Sequence, residues 1–200
     1  MNRAHLASLA AAGSLAVLSQ PAQAHVDISH TTGLSQGFAH PIVGLDHVLA
    51  MFLVGILAAQ MGGRAMWLVP AAFVTVMALG GVVGAMGIGL PLVELGIGLS
   101  VVVLGAVVAL GRKMTIALTV GLVGFFAIFH GFAHGAEMPA ANRGFVYATG
   151  FVLATAALHA FGVGFGLALS SGTSLKVKKL LRATGGAAVL AGAAIVTWAF

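Results

Sequence analysis

From residue 38 to residue 199 this chain is a succession of apolar stretches about twenty residues long, separated by short turns and almost free of charge inside each stretch. A helix needs about 20 such residues to cross the hydrocarbon core of a bilayer. Inside that core every backbone N–H and C=O must be paired within the protein, so only helices or closed barrels can span it. The runs here are continuous rather than alternating, which selects helices. The stretches that qualify are residues 38–61, 65–86, 91–111, 113–135, 144–170 and 178–199. Gly62-Gly63-Arg64 separates the first two, and the run from Gly87 to Pro91 separates the next two, with Pro91 suited to a helix start. Arg112-Lys113, the run from Glu137 to Arg143 and the run from Ser170 to Lys179 mark the remaining turns. Charged residues make up 6% of the chain, too few to solvate a globular surface, which carries about 25%. The expectation is an all-α integral membrane protein, a bundle of about six transmembrane helices.

The first residues read differently. A basic start, Met1-Asn2-Arg3, precedes an apolar run over residues 6–18 that is too short to span. Gln20-Pro21 ends it, and Ala22-Gln23-Ala24 has the form of a cleavage site. Residues 1–24 are therefore expected to be a signal peptide, and residues 25–200 the transmembrane domain, with His25 placed outside. The loops then alternate in side. Those assigned to the inside carry Arg64, Arg112, Lys113, Lys176, Lys178, Lys179 and Arg182, whereas the mature outside segments carry only Arg143. This is the asymmetry of the positive-inside rule. The net charge of +5 thus reports topology and contact with anionic lipid, not a nucleic-acid partner. The expected location is the bacterial inner membrane, multi-pass, with mature N- and C-termini in the periplasm.

Against this apolar background the ionisable residues stand out, because each costs roughly 2.5–3.5 kcal/mol to insert at membrane depth. His40 and His47 are seven apart and fall on one face of a continuous helix, with His47 roughly 10 Å deeper. Asp46 lies beside His47, placed to join a site or to orient that imidazole. His130, His134 and Glu137 have spacings of four and three, so they share one helical face near the outer end of the fourth span. Imidazoles and a carboxylate that converge this way can hold a metal ion. Gly131 and Gly135 leave room beside them for a second helix or a hydrated ion. His159 stands alone in the fifth span and reads equally as a cross-helix hydrogen-bond partner or as a ligand. The chain has no cysteine, which argues against a soft copper(I) site but leaves nickel, cobalt and zinc open.

The run His40-Pro41-x-x-Gly44-x-Asp46-His47, followed by Met51 and Gly55, resembles the first-helix signature of the HupE/UreJ family. The run Phe129-His130-Gly131-x-Ala133-His134-Gly135-x-Glu137-x-Pro139 is similar to that family's second motif, and the resemblance includes Glu94 and Ser100 in the third span. The first run is one residue longer than the H-x4-D-H signature of the larger nickel/cobalt transporter family. The resemblance implies a secondary nickel or cobalt permease linked to hydrogenase or urease maturation. It implies His40, Asp46, His47, His130, His134 and Glu137 as metal-handling residues, with Glu94 a further candidate. His25, with Asp27 and His30 nearby, is a candidate for capturing metal outside.

The function expected is inward transport of Ni2+ or Co2+ as substrate, with no permanently bound cofactor and with a homo-oligomer as an open option. A G-x-x-x-x-G-K-[ST] loop is absent, so the chain itself has no ATP site. Membrane potential is a sufficient drive, at ~2.3 kcal/mol per charge per 100 mV. The rival readings are an intramembrane zinc-dependent hydrolase, in which the histidines hold a metal-bound water, and a haem-binding electron carrier with histidine axial ligands.

Overall fold

A computed structural model describes residues 33–111, 114–138, 144–170 and 175–198. The signal segment 1–24, His25, Arg112, Lys113 and Arg143 lie outside the described residues. The elements described are helices: α1 (Gly33–Val43), α2 (Leu45–Met61), α3 (Ala65–Ala85), α4 (Val93–Leu110), α5 (Ile116–Ala136), α6 (Phe145–Ser170) and α7 (Leu175–Trp198). Helices α3 to α7 are each long and apolar enough to cross a membrane, and α1 with α2 pass the same test only together, as a pair bent at a short break, the form of a broken span or a re-entrant loop. Their outward faces suit lipid. Trp67, at the start of α3, is 78% exposed, and Trp198, at the end of α7, is 64% exposed, the placement of aromatics at the two membrane interfaces.

The first span departs from the expected single helix over residues 38–61. It breaks at Gly44, and α1 and α2 meet at 83°. Gly44 is extended (φ −77°, ψ 111°), and its carbonyl accepts from the Val48 N–H at 3.0 Å. Asp46 Oδ1 accepts from the His47 N–H at 2.6 Å, so a carboxylate meets an orphan donor and the positive end of the helix dipole. Helix α2 therefore begins anew with its own cap. What α1 gains by turning is contact with α6. A Cβ at Gly37 would overlap the Tyr147 carbonyl, and one at Gly150 would overlap the Leu34 carbonyl. Close backbone packing through small residues, the main source of helix association in lipid, outweighs continuation of a straight span. His40 and His47 consequently do not share a helical face.

Two boundaries also differ. Helix α4 begins at Val93, not at Pro91, after Leu92 takes a left-handed conformation (φ 59°). Helix α7 begins at Leu175, so Lys176, Lys178, Lys179 and Arg182 belong to its first turns rather than to a connecting turn. Their long stems let the charges reach the headgroup layer from a helical backbone.

The principal helix pairs are α3 with α5, α4 with α7, and α6 with both α1 and α2. The α3–α5 seam sets the position of the second histidine motif. A Cβ at Gly131 would overlap the Met77 carbonyl, and one at Gly135 would overlap the Gly81 carbonyl. The space beside His130 and His134 is thus taken by α3, not by an ion. Helix α2 is the centre of the bundle: Ala50, Met51, Val54, Ile56 and Ala58 are fully buried, and Gln60 Nε2 donates to the Val108 carbonyl at 3.1 Å, tying its C-terminal end to α4.

Candidate metal centre

Five histidines converge where α1, α2, α5 and α6 meet. The outermost group is His40 from α1 and His134 and Glu137 from the end of α5, whose ligand atoms all lie within 4.8 Å of one another. His40 Nε2 is 3.0 Å from His134 Nδ1. The other nitrogen of the same ring, His134 Nε2, is 3.0 Å from His47 Nδ1. His47 Nε2 in turn faces the Thr155 hydroxyl at 3.4 Å. The result is a file of polar atoms, from Glu137 and His40 through His134 to His47 and Thr155. It is graded in exposure: Glu137 is exposed, His40 and His134 are half-buried, and His47 and Thr155 are fully buried.

His130 lies one turn before His134 on α5 and adjoins this file. Its ring centroid is 5.4 Å from that of His47. The Ser100 hydroxyl donates to the Ile97 carbonyl at 2.6 Å, so at 2.8 Å from His130 Nε2 it is left to accept. That arrangement puts the proton on Nε2 and the lone pair on Nδ1 of His130. His134, His130, His159 and His40 all lie within electrostatic reach of the His47 ring.

The geometry brings together most of the residues expected from the sequence. His40, His134 and Glu137 form one group, His47 adjoins it and His130 adjoins His47. Asp46 holds the start of α2 through the His47 N–H and is not part of the compact group of three. Glu94 sits exposed in the first turn of α4, within electrostatic reach of Asp46. His159 is buried a turn below Thr155 on α6.

Three further residues of the site carry no signal that sequence reasoning used. Tyr147, the one tyrosine of the chain, has its ring 6.0 Å from His40. Phe151 packs its ring 4.8 Å from His134 and 5.5 Å from His47. Thr155 meets His47. Together with His159 they recur every four residues on α6, a stripe along one helical face. That spacing was the available clue.

The fold and site are those of a polytopic membrane protein with a file of imidazoles opening to one side of the bundle. Comparison with known proteins gives its family. The family model described as HupE / UreJ protein matches residues 13–195, and the chain belongs to that family, which is one of membrane transporters rather than enzymes. It is 45% identical over 184 residues to Protein HupE of Rhizobium leguminosarum bv. viciae, covering 92% of this chain and 95% of that protein. No solved structure matches the chain.

Proposed function

We propose that the protein carries a divalent transition-metal cation, Ni2+ or Co2+, from the periplasm into the cytoplasm across the bacterial inner membrane. Family membership supports the transport class. The observation that carries the metal is the double engagement of His134: one ring nitrogen faces an outer group with His40 and Glu137, the other faces buried His47. An ion held on Nδ1 has its next ligands on the far side of the same ring. His134 is then common to two stations, and transfer between them needs the ion to change nitrogens while the helices stay in place.

Both His–His separations are 3.0 Å, the length of a hydrogen bond between imidazoles, so each pair presents two nitrogens to one point. Imidazole nitrogens suit nickel, cobalt and zinc alike, and the choice of Ni2+ or Co2+ rests on family membership. Imidazole with a single carboxylate also fits a borderline ion that must be released again.

The roles follow. Glu137 and His40 take the ion as it sheds water, His134 passes it on, and His47 and His130 receive it below the surface. Asp46 orients His47 by fixing its backbone at the helix start. Glu94 adds negative charge near the outer end. Inside-negative potential draws the ion inward, and the metal then serves hydrogenase or urease maturation. The test is accumulation of Ni2+ or Co2+ in proteoliposomes under an inside-negative potential. Accumulation above protein-free vesicles is expected, and none under any imposed gradient overturns the reading.

A further inference from the structure

His159 is the one imidazole of the cluster that has nothing to bind. It is 1% exposed, and both Nδ1 and Nε2 are buried without a hydrogen-bond partner. Buried polar groups are almost always paired, and each exception calls for an explanation, such as an ion or water that belongs there. Packing does not supply one. The nearest described ring, Phe73, stands edge-on at 5.4 Å and offers no conventional acceptor or donor.

The position of the orphan is informative. Tyr147, Phe151, Thr155 and His159 lie at four-residue intervals on α6. The first three accompany the file of ligands inward: Tyr147 beside His40, Phe151 beside His134 and His47, Thr155 at the inner nitrogen of His47. His159 continues the stripe one turn further, about 6 Å along the axis. Four residues beyond it comes Val163, and then Leu167, so the polar stripe ends there. Helices α2 and α6 are also in backbone contact at this level, since a Cβ at Gly55 would overlap the His159 carbonyl. That contact holds the α6 backbone at a fixed height relative to His47.

We infer that His159 is an inward metal station, which receives the divalent cation from His47 at the Thr155 level and holds it near the middle of the bundle. This rests on the permease reading above. It adds a ligand from α6 to a path otherwise built from α1, α2 and α5, and it accounts for an imidazole buried with both nitrogens open.

The test uses the full chain with His159→Phe, which keeps an aromatic ring against Phe73 and removes both nitrogens, and with His159→Gln, which keeps a polar group. His134→Ala is measured beside them. Each is assayed for nickel uptake in proteoliposomes and for equilibrium nickel binding in nanodiscs. Both His159 variants are expected to lose about tenfold or more in uptake, the scale on which metal-site changes act, while binding at the outer group stays within about twofold. Uptake by either variant at the unsubstituted rate overturns the inference, as does loss of outer binding, which would make His159 a structural support of the cluster. If His134→Ala abolishes uptake and the His159 variants do not, only the inward station falls. If His134→Ala is also without effect, the route through His134 falls with it; the permease reading itself falls only if the unsubstituted protein takes up no nickel.

Discussion

Replacing Gly135 by alanine should separate the seam that aims the second histidine motif. A Cβ at Gly135 would overlap the Gly81 carbonyl oxygen and stand 2.7 Å from the Gly81 carbonyl carbon. Carbon atoms in ordinary contact stand about 3.5 Å apart, so α5 must retreat from α3 by roughly 0.8 Å at this point. The obstructing atoms are helix backbone and cannot swing aside. His134 is the preceding residue, and its two nitrogens are each 3.0 Å from a neighbouring imidazole. Metal–ligand distances tolerate about 0.2 Å, and functional geometry about 0.5 Å. A retreat of this size therefore spoils both stations at once. Overpacking also destabilises by about 1–3 kcal/mol. The matched control is Gly121→Ala on the same helix, where an added Cβ meets nothing within 4 Å and alanine improves helix propensity by up to about 1 kcal/mol. Thermal unfolding in detergent and nickel uptake in proteoliposomes should both fall for Gly135→Ala, uptake by about tenfold or more, and neither should fall for Gly121→Ala. Two variants equal in stability and uptake would refute the claim that the glycine seam positions the ligands.

Ser100→Ala removes the hydrogen-bond partner of buried His130 Nε2 and should cost about 1–3 kcal/mol of stability, read by thermal unfolding; an unchanged midpoint would show that Ser100 does not anchor that ring. Uptake should fall as the outside is acidified below the usual imidazole range of about pH 6.5, because a protonated imidazole has no lone pair for the ion. A rate that stays flat over the whole acid range in which the protein remains folded, at constant potential, would exclude imidazole ligation. The chain has no cysteine, so single cysteines report topology without background: Ile88→Cys should react with an impermeant reagent from the periplasm and Leu175→Cys only from the cytoplasm, and the reverse would invert the direction proposed.

Much of this architecture is legible in the sequence because lipid imposes a simple rule on it. Continuous apolar runs mark α3 to α7, and glycines mark the turn at Gly62 and Gly63, where φ is positive. The convergence of His134 and Glu137 follows from helical spacing alone. The bend at Gly44 does not, since the apolar run continues through it and Pro41 reads as a first-turn proline. The bend is decided by α1 packing on α6 through Gly37 and Gly150, residues more than a hundred positions apart. Thr155 was hidden for a similar reason. A threonine in an apolar helix is unremarked until His47, 108 residues earlier, is placed against it. The bend also changes what the first motif means. His40 and His47 reach His134 from two helices on opposite sides of its ring, an arrangement a straight helix could not provide.

Transfer of a metal ion by His134 from an outer group to His47 is read from the initial rate of radioactive nickel uptake into inside-negative proteoliposomes carrying His134→Ala at matched incorporation. Because His134 belongs to both stations, a loss of about tenfold or more is expected, as large as that of His40→Ala and His47→Ala combined in one chain. A rate within about twofold of the unsubstituted protein, a difference worth under about 0.5 kcal/mol, would contradict it.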